Sequence, residues 1–179
     1  MPLRVSKNLT YRLEEDGGIT GKGSELSKNI GRKILSVTKK IELPNEEEKK
    51  MRWKRTATQI LKDGWVVKGK SCTDITVLFI AVAKAKGIKA IFVKLYSIKR
   101  QMLHAAVELP GENSILDATT GRRDNSSNEI LFDEYKVYKK GRDSWDIGLS
   151  GVEDMPSVME EIGKKIDADK SAKPIIAHK

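Results

Sequence analysis

The chain has 179 residues and a mass of 20.0 kDa, with 34 Lys and Arg against 25 Asp and Glu, and 39% of its residues are hydrophobic. That is the size of one ordinary domain, large enough to bury a core without disulfide or metal staples, and the balance excludes a disordered chain. The longest unbroken apolar run, Val77 to Ala83, is too short to span a bilayer, so no membrane partner is expected.

In chain order, residues 1–24 hold Gly17, Gly18, Gly21 and Gly23 among polar residues and are expected to form a flexible amino-terminal arm. A single domain is expected over residues 25–166. Its first helix runs from Glu25 to about Lys40, because Leu26, Ile30, Ile34, Leu35 and Val37 follow helical spacing and Pro44 then interrupts the chain. Asn45 is read as the N-cap of a second helix, with Glu46, Glu47 and Glu48 in its first turn, continuing through Met51, Ala57, Ile60 and Leu61 to Gly64.

Ser71 and Asp74 have the spacing of a capping box, and the following run ITVLFIAVAKA is apolar around nearly its whole circumference. This predicts a buried central helix closed by Gly87 at C′. IKAIFVKLYS reads as a strand, HAAVEL and SILDAT as a hairpin over residues 104–119 around PGEN, and Tyr135–Tyr138 as a further strand. A short helix from Met155 to Ile166 is expected before a mobile tail, residues 167–179, in which His178 is expected to face solvent. Helices first and strands later predict an α+β fold, with the central helix packed on an antiparallel sheet.

The net charge of +9 is unevenly spread. Residues 51–104 carry 12 basic and 2 acidic side chains, and residues 105–179 carry 11 and 15. The basic segment also contains the single cysteine, Cys72, and leads to His104. One Cys cannot form an intramolecular disulfide and the start of the chain lacks an apolar signal region, so a reducing cytoplasm is the expected location. One Cys and two His cannot build a cysteine–histidine zinc site, and neither a metal nor another cofactor is expected.

With Ser71 at the N-cap, Cys72 is the first residue of the central helix, where free N–H groups and the dipole favour a thiolate. Its competing reading is a buried space-filler. If the hairpin loop centres on Gly111 and Glu112, Leu109 opposes Ser114 and Asp117 opposes Ala106. His104 and Asp117 then share a face within diagonal reach, while Ala105, Val107, Leu109, Leu116 and Ala118 form the core face. A carboxylate that orients the imidazole leaves its second nitrogen for a thiol, and a one-residue slip in register would undo the arrangement. Asp74 could also look catalytic, but capping accounts for it.

The stretch TATQILKDGWVVKGKSCTDITVLFIAVAKAKGIKAIFVKL, followed by HAAVEL and ILDATTG, resembles the transglutaminase-like superfamily and its papain-like core, in a small microbial or archaeal form. The likeness covers roughly residues 51–150, including YKVYKKGRDSWDIGLS. Cys, His and Asp come in the family order, with 31 residues between the first pair and 12 between the second. It implies Cys72 as nucleophile, His104 as base and then acid, and Asp117 as orienter, acting on a peptide or protein amide through a thioester that water or an amine resolves. The Cys72 N–H would help hold the oxyanion, with Trp65, or less readily Gln59, as a second donor; packing is the competing role for Trp65. Ala106 and Ala118 stand where relatives often carry an aromatic and a proline, which alters the cleft wall but not the three residues.

Two classes of function follow. One is a cysteine-dependent amide hydrolase or acyltransferase, its basic surroundings suiting an acidic substrate. The other is a non-catalytic papain-like module that holds nucleic acid or an acidic protein on the basic segment. The second is less favoured, because its cations fall on outer faces and lack the aromatic interleaving of single-strand binders.

Overall fold

A computed structural model of the chain describes residues 38–172 and, before them, residues 29, 30, 33, 34 and 36. The expected arm, residues 1–24, and the end of the expected tail with His178 lie outside the described residues. Ile30 and Ile34 are helical and fully buried, as their spacing predicts. The helix does not reach Lys40. Thr38 directs both its hydroxyl and its N–H to the Ile34 carbonyl, at 2.8 and 3.2 Å, and the chain turns into a strand, β1 (Lys39–Ile41).

The predicted second helix is two helices, α1 (Asn45–Met51) and α2 (Ala57–Asp63). Pro44, not Asn45, stands at the first N-cap. The chain leaves α1 at Arg52, and Trp53 takes a left-handed φ of 62° that drops its indole into the core at 9% exposure. Thr56 then caps α2: its Oγ1 accepts the Gln59 N–H at 3.3 Å, and Gln59 Oε1 accepts the Thr56 N–H at 2.7 Å. Such a box contributes about 1 kcal/mol, enough to favour a restart once a buried tryptophan has broken the helix. Gly64 ends α2 at φ 72°. The next residues form β2 (Trp65–Val67), unforeseen in the sequence, which pairs in parallel with β1.

The central helix, α3 (Cys72–Ala85), lies where predicted and buries Ile75, Leu78, Phe79, Val82 and Ala83. Each such side chain contributes roughly 1.5–3 kcal/mol on leaving water, Ala83 less. Gly87 sits at φ 72° beyond the last turn, and the Ile88 N–H returns to the Ala83 carbonyl at 2.9 Å. The helix packs on a five-stranded antiparallel sheet of β3 (Ile91–Ser97), β4 (Leu103–Leu109), β5 (Ser114–Leu116), β6 (Arg123–Asn125) and β7 (Tyr135–Gly141), in the order β6-β5-β4-β3-β7. The fold is α+β, with the central helix against an antiparallel sheet.

The sheet is covered on both sides. Val107, Leu109, Leu116 and Ala118 pack with α3, and Phe92, Tyr96 and Ala105 pack with Trp53, Tyr138 and Ile162. On the other side, Val93, Leu95, Ala106 and Ile115 meet Leu131 and Phe132. The carboxy-terminal helix, α4 (Met155–Ala172), passes its predicted end at Ile166, so residues 167–172 are helix rather than tail. Its Asp169 accepts from Lys136 at 2.7 Å, a tertiary ion pair that ties this extension to β7. Among the described residues no helix is long and apolar enough to cross a membrane.

Candidate active site

Cys72 is the first residue of α3, so its backbone N–H has no acceptor one turn earlier in the helix. Ser71 is at the N-cap, but its side chain makes no capping hydrogen bond. Asp74 does not close a capping box either: its carboxylate accepts from Arg55 at 2.6 Å, a charge-assisted bond stronger than one to a neutral N–H. The break before α2 places Arg55 there, which is why local spacing misassigned Asp74.

The hairpin keeps the predicted register, Leu109 opposite Ser114 and Val107 opposite Leu116, but β5 stops at Leu116. Asp117 begins a turn instead, in which its Oδ1 accepts the N–H of Thr119 at 2.9 Å and of Thr120 at 3.4 Å, and Gly121 takes φ 76°. This holds the carboxylate while Oδ2 lies 3.1 Å from His104 Nε2. Nδ1 is then the nitrogen left for the thiol, and His104 and Cys72 hydrogen-bond through their side chains. The Ala105 N–H also bonds the sulfur, and the Tyr135 ring packs 5.4 Å from the imidazole, centre to centre.

Burial alone would push the Cys72 thiol up; the His104 hydrogen bond and the charges of Lys94 and His104 outweigh it and bring the thiol down to about 6. Burial opposes charge on His104 as well, yet bonds to Asp117 and Cys72 raise it to about 9. Burial would raise Asp117, but the hydrogen bond and charge of His104 and the bonds from Thr119 and Thr120 together outweigh it and hold the carboxyl low. Between those two values the group exists as thiolate, imidazolium and carboxylate. That is a nucleophile with a proton donor beside it.

Trp65 lies on β2 with the Arg55 guanidinium 4.1 Å from the centre of its ring. Gln59 spends its side chain on the α2 cap. Two neighbours escaped the sequence reading. Tyr135 was assigned only to a strand, and Lys94, 1% exposed, lay unremarked in IFVKLYS. The available signal was a lysine between Phe92 and Tyr96 on one strand face. It was masked because Val93 and Leu95 make the other face apolar too.

The basic segment is only partly neutralised in three dimensions. Arg52 and Lys70 pair with Glu48, Lys54 with Glu153, Lys68 with Glu42 and Arg100 with Glu134, all acids from outside residues 51–104. Among the described residues no group of three or more His, Cys, Asp or Glu side chains could hold a metal. The two largest described cavities, about 270 and 230 Å³, are lined around Ile98 and Ile166 and around Ile80 and Trp145, and neither includes Cys72 or His104.

Two solved structures share this architecture. One, from Cytophaga hutchinsonii and provisionally described as a cysteine protease, superimposes with a TM-score of 0.54 at 21% identity, over 83% of this chain and 47% of its own. The other, LapG of Legionella pneumophila, gives 0.55 at 14% identity, over 88% and 84%. The likeness is one of fold, in keeping with the papain-like core that the sequence resembles. This chain therefore spans about half the length of the Cytophaga structure. No family model matches the sequence, and neither does any curated protein.

Proposed function

We propose that this papain-like chain is a cysteine-dependent hydrolase of peptide or protein amides. The observation that carries the reading is the chain of contacts from thiol to imidazole to carboxylate, Cys72 to His104 to Asp117, with 3.1 Å between the last two. Cys72 thiolate attacks the amide carbonyl, and the Cys72 N–H at the start of the helix stabilises the oxyanion. Protonated His104 gives its proton to the departing amine, leaving a thioester. Water, deprotonated by His104, then attacks the thioester, releases the carboxylic acid and restores the thiol. An amine in place of water would make the same site an acyltransferase; hydrolysis is preferred because a solved structure that shares the fold is provisionally described as a cysteine protease.

The acids that pair with residues 51–104 offset only part of that segment's positive excess, and the remainder suits an acidic substrate. A reducing compartment follows from the need to keep the thiol free. With one cysteine in the chain, iodoacetamide alkylation reads Cys72 alone. Its rate is expected to reach half its plateau near pH 6. Half-plateau at about 8.5, the value of an unperturbed thiol, overturns the proposal.

A further inference from the structure

Lysine is rarely buried, and Lys94 on β3 is 1% exposed. Its strand face explains the direction of the side chain: Phe92, Lys94 and Tyr96 alternate with Val93 and Leu95, and Phe92 and Tyr96 belong to the core around Trp53. The ammonium is held at both ends of its reach. Nζ donates to Thr73 Oγ1 at 3.1 Å and lies 4.9 Å from the centre of the Trp53 ring. Both contacts suit a cation. Neither brings a carboxylate, so within these contacts the ammonium has no fixed anion.

Thr73 directly follows Cys72 in the first turn of α3, and Lys94 pairs across the sheet with Ala105, whose N–H bonds the Cys72 sulfur. The anion this geometry offers is the thiolate. We infer that Lys94 is a positioning residue whose buried ammonium, held by Thr73 and Trp53, keeps Cys72 ionised as a second cation beside the one on His104. Cys72 would then be held as a thiolate, ready to attack, even in those molecules whose imidazole has lost its proton. This role rests on the proposed thiolate chemistry and deepens it.

The charged and titratable groups around the thiol come from several elements. They are His104 on β4, backed by Asp117, Tyr135 on β7, Lys94 on β3 and Arg52 after α1, which is itself committed to Glu48. Burial and Arg52 both press on Lys94 to lose its proton, and the Cys72 thiolate opposes the loss. Removing Lys94 therefore also leaves the thiolate with a single cation.

The test is Lys94→Met, which keeps length and apolar packing, assayed by alkylation of the single cysteine and by the ultraviolet absorbance of the thiolate across pH. Loss of one nearby opposite charge is expected to slow alkylation at about pH 5 by roughly tenfold and to move the acid limb upward. A folded Lys94→Met whose acid limb coincides with wild type overturns the role, since a merely structural lysine would alter stability and leave the titration alone. Should Lys94→Met not fold, His104→Ala serves: Lys94 predicts a thiol that still ionises below the ordinary range, and ionisation at or above that range overturns the role. A wild-type thiol that titrates ordinarily refutes the hydrolase reading instead, so the two failures are distinguishable.

Discussion

Cys72 and Asp74 stand two residues apart on the first turn of α3, and each meets a cation, but of different kinds. Asp74 pairs with Arg55, whose guanidinium also holds Asp63 and covers Trp65. Cys72 meets His104 and, through Thr73, Lys94. Arginine keeps its proton at every pH a protein survives, so the Asp74 cluster can only hold structure. Imidazole and thiol exchange a proton near neutrality, so the Cys72 cluster can do chemistry. One helix terminus thus carries a permanent ion pair and an adjustable one.

Removing the sulfur separates the clusters most sharply. Cys72→Ala is expected to abolish alkylation and amide hydrolysis, read by mass spectrometry and a peptide-amide assay. Asp117→Asn comes next: amide hydrolysis falls by about 10²- to 10⁴-fold, as when the orienting carboxylate of a hydrolytic triad is lost. Without that bond the imidazolium loses its proton more readily, so the alkaline limb of the rate profile moves below about 9.

On the structural side, Arg55→Met strands a mostly buried carboxylate and is expected to cost about 3 kcal/mol in a denaturant titration. Asp74→Asn is expected to cost less. Burial already pushes Asp74 upward against the pull of Arg55, so neutralising it relieves part of a desolvation cost. Equal losses for the two variants would contradict this ordering.

The smallest effect is an expected absence of slope. His104, raised from 6.5 to about 9, contributes stability that is complete below 6.5 and lost as pH rises through 9. Cys72, lowered from 9.0 to about 6, contributes stability complete above 9.0 and lost as pH falls through 6. Between these values the folded pair is a zwitterion and the unfolded pair is neutral, so both bind the same number of protons. The pair therefore leaves the denaturation midpoint flat from pH 6.5 to 9 while alkylation climbs from below pH 6 to its plateau. A midpoint that tracks the alkylation curve, and loses that dependence in Cys72→Ala, would refute the ion pair.

Much of the fold was legible because local rules were not contested. ITVLFIAVAKA is apolar on every side and ends at Gly87, and the hairpin register followed from the position of PGEN. The errors lie where long-range contacts overrode local patterns. Trp53 broke a helix whose periodicity ran on to Gly64, and β2 exists only because β1 is there to pair with it. Ser71 and Asp74 had the spacing of a cap until Arg55 arrived from a neighbouring helix with a stronger bond. Asp117 was placed correctly beside His104, but on a turn built from its own Asp-Ala-Thr-Thr-Gly sequence rather than on a strand.

By itself the sequence determined the helix that begins at Cys72 and the strand pair that brings His104 toward Asp117, because periodicity, end signals and turn spacing are local. Only the tertiary structure decided that the thiol meets the imidazole, that Lys94 lies buried behind Thr73, and that part of the basic middle segment pairs with acids from elsewhere in the chain. Those outcomes depend on distances between elements remote in sequence, and on a low-dielectric interior in which each such distance sets which protons stay.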